Sequence, residues 1–147
     1  MSAWTVRRLT AGDGDLALIA EQVNGAAMEI GDPFTEASLQ QFLTNDDAIY
    51  LTIHHDDRLV GALHGFAYLH PSGKRYVYVD EVDTAEDFRR RGVAKKLMEA
   101  ALDIARDLDA ESLWLGTDDF RDPAKKLYQS LNPSAIEPGS IYSWDFD

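Results

Sequence analysis

A strand-like run, Tyr76-Val77-Tyr78-Val79, leads through a polar stretch into Arg89-Arg90-Arg91-Gly92-Val93-Ala94, where a long amphipathic segment begins. No other stretch constrains the chain as much. When a strand feeds a glycine-bearing loop at a helix start, the first N–H groups of the helix lack intrahelical partners, and the dipole there favours negative charge. Gly92 lets the backbone come close to an anion and Ala94 keeps the next position small. The three arginines suit a ligand carrying several phosphates. The expectation is a strand–loop–helix unit built around a polyphosphate.

From Gly92 to about Leu108 the apolar residues Val93, Leu97, Ala101, Ile104, Ala105 and Leu108 recur at helical spacing, opposite a charged face that starts with Lys95 and Lys96. Upstream, Thr5 to Thr10 reads as a strand, Asp15 as the cap of a helix through about Val23, and Thr35 as the start of a second short helix. Ala48–His54, Leu59–Leu69 and Arg75–Asp83 read as an antiparallel meander, with Gly61 and Gly65 marking bends or close approach. Downstream come a strand from Ser112 to Gly116, a helix from Pro123 to Leu131 and a last strand around Ile141 to Phe146. This order predicts an α+β fold, an α/β sandwich with a mixed, mostly antiparallel sheet of about six to seven strands and about four helices, in one domain over residues 1–147.

The net charge is -12, from 14 basic and 26 acidic side chains. Such a surface repels nucleic acid and attracts cations. Against that background the cluster Arg89, Arg90, Arg91, Lys95 and Lys96 stands out as a basic island. With no cysteine, disulfides, thiol nucleophiles and cysteine-ligated zinc are excluded, and the four histidines show no metal-ligand spacing on a helix. No run is apolar enough to cross a bilayer, so the expected setting is cytoplasmic, with no membrane partner and no metal.

Arg89, Gly92 and Ala94 fit the pattern R/Q-x-x-G-x-G/A, which resembles the acetyl-CoA pyrophosphate loop of GNAT acyltransferases. The order of elements and Ala124-x-x-Leu127-Tyr128 in the last helix extend the resemblance over essentially the whole chain. More narrowly, Tyr76 to Gly92, Asp122-Pro123-Ala124-Lys125-Lys126-Leu127-Tyr128, Gly31-Asp32 and the end Trp144-Asp145-Phe146-Asp147 resemble the type I aminoglycoside 3-N-acetyltransferases. Arg121, Thr84 and Asn132-Pro133 depart from the usual family residues.

The resemblance implies an N-acetyltransferase with acetyl-CoA as co-substrate. It implies Glu81 as the base that deprotonates the acceptor amine and Tyr128 as the group that meets the departing thiolate. Backbone N–H groups of Val82, Asp83 and Thr84 would polarise the thioester carbonyl, and those from Arg89 through Arg90, Arg91, Gly92 and Val93 to Ala94 would hold the pyrophosphate. Of the aspartates Asp32, Asp118, Asp119, Asp122, Asp145 and Asp147, the first choices for an acceptor ammonium are Asp32, Asp118 and Asp122, in loops flanking the expected groove. The implied acceptor is a cationic small amine, first of all the 3-amino group of an aminoglycoside, with antibiotic resistance as the consequence. A polyamine, a peptide amine or a non-catalytic acetyl-CoA sensor stands as the alternative, and a homodimer is an open expectation.

Overall fold

The structure is a computed structural model and describes residues 3–118 and 121–146. The contacts divide the chain into two compact units, Met1–Gly116 and Thr117–Asp147. The first holds β1 (Trp4–Arg8), α1 (Leu16–Gly25), α2 (Glu36–Leu43), β2 (Ala48–His55), β3 (Arg58–Leu69), β4 (Arg75–Thr84), a 3-10 turn (Glu86–Phe88), α3 (Val93–Asp107) and β5 (Ser112–Trp114). The second holds α4 (Asp122–Ser130). No helix among the described residues is long and apolar enough to cross a membrane.

The strands form one sheet in the order β1-β2-β3-β4-β5, antiparallel except for the parallel pair β4–β5. The mixed sheet with four helices is the expected class. The strand count differs: five strands are present among the described residues, against an expected six to seven. Ile141–Phe146, read as the last strand, has no ladder among the described residues. Its alternating pattern favours a pleat, but a strand needs a partner and a buried face. Here Ile141, Tyr142, Trp144 and Phe146 are all exposed.

Local chemistry sets the helix starts. In α2, Ser38 N–H donates to Thr35 Oγ1 at 3.0 Å and Thr35 N–H donates to Ser38 Oγ at 2.9 Å, a reciprocal capping box. Asp15 stands at the N-cap of α1 but makes no side-chain cap. Its carboxylate is taken instead by a two-pronged bond from Arg7, at 2.7 and 2.8 Å. A charge-assisted fork outcompetes a single backbone N–H.

Helices pack on both faces of the sheet. Leu16, Ile19 and Val23 of α1 and Leu39 and Leu43 of α2 bury against Tyr50 and Ala62. On the other face α3 buries Val93, Leu97, Met98, Ala101 and Ala105. A Cβ on Gly61 would stand 2.6 Å from a methyl of Val93, so this glycine is where α3 meets β3.

The register of β3 on β4 slips by one residue. Gly65 lies opposite Val79 while His64 lies opposite Glu81, which leaves Asp80 as an extra, bulged residue. Beyond the bulge, Glu81 and Asp83 share the face of His64 and Ala62, and Val82 and Thr84 share the face of Leu63 and Gly61. Gly65 permits the slip, since a Cβ there would collide with the Tyr78 carbonyl. Gly65→Ala is therefore expected to cost about 1–3 kcal/mol in urea unfolding, because rigid backbone must give way. Gly12→Ala, with open space around it, is the neutral control.

Candidate active site

The loop after β4 is anchored before it reaches α3. Ala85 N–H donates to the Val60 carbonyl at 2.8 Å, and Phe88 of the 3-10 turn is buried. Arg91 and Arg58 lie over the Phe88 ring, at 4.5 and 5.1 Å from its centre, and Arg58 forks Asp87 at 2.7 Å. The chain then passes through two left-handed residues, Arg90 (φ 66) and Gly92 (φ 79). Gly92 is the N-cap of α3 and no side chain caps that end. On the side where a Cβ of Gly92 would project, the nearest atom is Lys96 Nζ at 3.6 Å. An uncapped, open helix start of this kind suits an anion.

The basic island is less uniform than its sequence. Arg89 stands 4.0 Å from Glu29, Arg91 covers Phe88, and Lys96 lies over the Trp4 ring at 5.0 Å. Arg90 and Lys95 are exposed at the loop.

The bulge assembles an acidic face. Tyr50 of β2 and His64 of β3 stack at 6.1 Å with their planes 2° apart, and Phe42 of α2 meets both edge-on. His64 Nε2 lies 3.1 Å from an Asp80 oxygen, and one polar atom each from His64, Asp80 and Glu81 fall within 4.8 Å of one another. That spacing also suits an ammonium, which seeks acceptors on several sides. Asp83 follows on the same face, half-buried; burial first, then the charges of Glu81 and Glu29, push its carboxyl from 3.8 up to about 6, while His64 pulls the other way. Burial, then Asp83 and Glu81, also raise the Tyr50 phenol above its ordinary value. Glu29, Glu81 and Asp83 therefore act on one small region, and one of them titrates close to neutrality.

A pH-dependent stability follows from Asp83. Below 3.8 its carboxyl is protonated folded or unfolded, and burial costs nothing. Between 3.8 and about 6 the unfolded chain ionises first, so the folded state loses stability as pH rises; above about 6 the whole penalty stands. Asp83→Asn is expected to raise the melting temperature at about pH 8 and to leave it nearly unchanged below about pH 4. An equal gain at both would contradict the burial of that charge.

β5 pairs with β4 only at Tyr76, Val77 and Tyr78, while β4 runs on to Thr84. Among the described residues of this unit, the edge of β4 from Val79 to Thr84 has no strand beside it on that side. Val82, Asp83 and Thr84 lie on this open stretch, which leads directly into the loop of Arg89 to Ala94.

The other predicted residues are distributed differently. Asp32 is exposed in the turn at Gly31 (φ 72), and the acid of that α1–α2 segment whose charge reaches Asp83 is Glu29. In the second unit Asp118 pairs with Arg121 at 3.3 Å, Asp122 opens α4 with Pro123 in the first turn, and Tyr128 is half-buried on α4. Asp145 is exposed, and Asp119 and Asp147 lie outside the described residues. Of the residues on this acidic face the sequence named Glu81, and Asp83 only for its backbone N–H; Tyr50, His64 and Glu29 it did not name. A signal existed for His64, which sits two residues before Phe66 on one face of β3, but its partners become visible only with the register.

The acetyltransferase (GNAT) family profile matches residues 19–132. The chain belongs to the GNAT acetyltransferase family. It is thus an acyltransferase, and GNAT enzymes use acetyl-CoA as co-substrate. No curated protein sequence matches it significantly. Among solved structures, the aminoglycoside acetyltransferase meta-AAC0020 from an uncultured soil metagenomic sample, in complex with trehalose, is similar at a TM-score of 0.80 and 19% identity, over 98% of this chain and 97% of that one. The same enzyme in complex with sisomicin gives 0.80 at 18% identity over the same shares. A ribosomal-protein-alanine N-acetyltransferase from Brucella melitensis biovar Abortus 2308 gives 0.73 at 22% identity, over 97% of this chain and 100% of that one. At these identities the likeness is one of fold.

Proposed function

We propose that this GNAT domain moves the acetyl group of acetyl-CoA to a primary amine of a small cationic molecule, by direct attack in a ternary complex. The 3-amino group of an aminoglycoside is the first acceptor to try. The observation that carries this reading is the acidic face at the β4 bulge, where Glu81 and Asp83 stand with Glu29 and His64 on a strand that leads to an uncapped helix start. In this reading the amides from Arg89 to Ala94, with the arginine side chains, hold the pyrophosphate, and the N–H groups of Val82, Asp83 and Thr84 polarise the carbonyl.

Glu81 binds the ammonium and takes its first proton, and Asp83 is a second acceptor whose affinity suits neutral pH. The freed lone pair forms the C–N bond as the C–S bond breaks. By the family resemblance, the Tyr128 phenol gives the thiolate its proton and is restored by the second proton leaving the nitrogen. Asp32, Asp118 and Asp122 are candidate contacts for further ammonium groups of the acceptor.

Free-thiol release from acetyl-CoA, measured over aminoglycosides with and without a free 3-amino group, polyamines and peptides, tests the reading. Turnover confined to acceptors bearing that group supports it in full. Turnover on peptides alone favours the second reading, a peptide amine, to which the likeness with the ribosomal-protein-alanine enzyme points. Silence across the panel with acetyl-CoA bound rejects both.

A further inference from the structure

Next to the acidic face, on the same side of the sheet, five aromatic rings lie side by side. Phe66 is opposite Tyr78, Tyr68 is opposite Tyr76, and Trp114 continues the row onto β5. Tyr78 and Trp114 meet at 4.4 Å, Phe66 and Tyr78 at 5.6 Å, and Tyr68 stacks on Tyr76 at 5.6 Å. Trp114 Nε1–H donates to the Tyr68 oxygen at 2.8 Å. Phe66 remains 41% exposed and Trp114 50% exposed, so these rings present open faces while locked against one another. Cross-strand aromatic pairs stabilise any sheet. This row does more, because it is continuous with the acids: Phe66 shares the β3 face of His64, which is held by Asp80 and stands opposite Glu81.

We propose that this row is the platform on which the body of the acceptor lies, so that the acceptor is an amine carried on a rigid ring whose flat face rests on Phe66, Tyr78 and Trp114 while its ammonium reaches Glu81. The dimensions select that occupant. Two rungs along β3 span about 7 Å, and three strands span about 10 Å across. That area matches one or two six-membered rings and falls far below the roughly 800 Å² per partner of a stable protein interface. Phe66 follows His64 by two residues, so the ring must lie within about 7 Å of the acids. The negative faces of the rings and the carboxylates both favour a cation there. A linear polyamine satisfies the acids but leaves the rigid platform unused.

The inference rests on the acetyltransferase reading, and its test separates the two. Initial rates of thiol release and calorimetric binding are measured for glucosamine, tyramine and 1,5-diaminopentane with the wild-type chain, Trp114→Ala and Phe66→Ala. Acetyl-CoA affinity is measured separately. The expected result is a ring-over-linear preference in the wild type that shrinks about tenfold in each variant. Glucosamine preferred over tyramine identifies a sugar-type ring, and the reverse an aryl ring. Equal effects of the substitutions on ring and linear amines, or no effect on either, overturn the platform even where turnover is normal. Loss of turnover with ring-selective binding kept would strike the chemistry and leave the platform standing. A concentration-dependent dimer abolished by Phe66→Ala would assign the face to a second copy and overturn the proposal.

Discussion

Glu81→Gln is expected to lower kcat by about two to four orders of magnitude while acetyl-CoA binds as tightly as before. The acceptor amine is an ammonium near neutral pH and cannot attack until it loses a proton. Glutamine keeps the size and hydrogen bonding of the side chain but neither attracts the cation nor accepts its proton. Glu81 is exposed, so the fold has little at stake in the change. The neighbouring carboxyl gives a second readout. Asp83 is pushed up partly by the charge of Glu81, so removing that charge draws it back toward 3.8. Any residual activity should therefore keep its acid limb to lower pH than the wild type. Full activity in the variant would remove Glu81 from the base role and leave Asp83 as the carboxylate to test next.

Gly92→Val is expected to weaken acetyl-CoA binding by about 10- to 100-fold with little loss of stability. Gly92 holds φ at 79, a conformation that a β-branched residue resists by about 1–3 kcal/mol. The space around it is open apart from the end of Lys96, so the strain comes from the backbone and not from a clash. Relief of that strain rotates the first amides of α3 away from the direction an anion needs. Calorimetry of acetyl-CoA binding, with kcat measured at saturating cofactor, should place the loss in affinity. Unchanged affinity would mean that the phosphates are held elsewhere.

Much of the fold was legible because its signals are local. The meander, the long helix of Val93–Asp107 and the Thr35 start of α2 all follow from periodicity and short-range hydrogen bonding. The glycine-bearing start of α3 was legible for the same reason, since glycine at a helix start is a local device. What escaped depends on partners distant in sequence. Asp15 looks like a cap until Arg7 claims it. Lys96 looks like part of a phosphate island until Trp4 comes beneath it. Ile141–Phe146 looks like a strand, yet among the described residues no neighbour pairs with it. Asp83 looks like any surface aspartate, because its proximity to Glu29 and Tyr50 arises only when the α1–α2 segment folds over the sheet.

The bulge at Asp80 makes the identity of the β4 face a matter of counting. In an uninterrupted pleat Glu81 and Asp83 would continue the series of Val77 and Val79, which are 0% and 3% exposed on the side of α3. One supernumerary residue inverts the phase of everything after it, sending the two carboxylates to the face of His64 and Val82 and Thr84 to the helix. A substitution at Asp80 leaves that phase intact. Deleting the single residue between Val79 and Glu81 would exchange both faces at once, setting buried charge under α3 and valine beside His64. Along these few residues the chain should tolerate changes of side chain far better than changes of length.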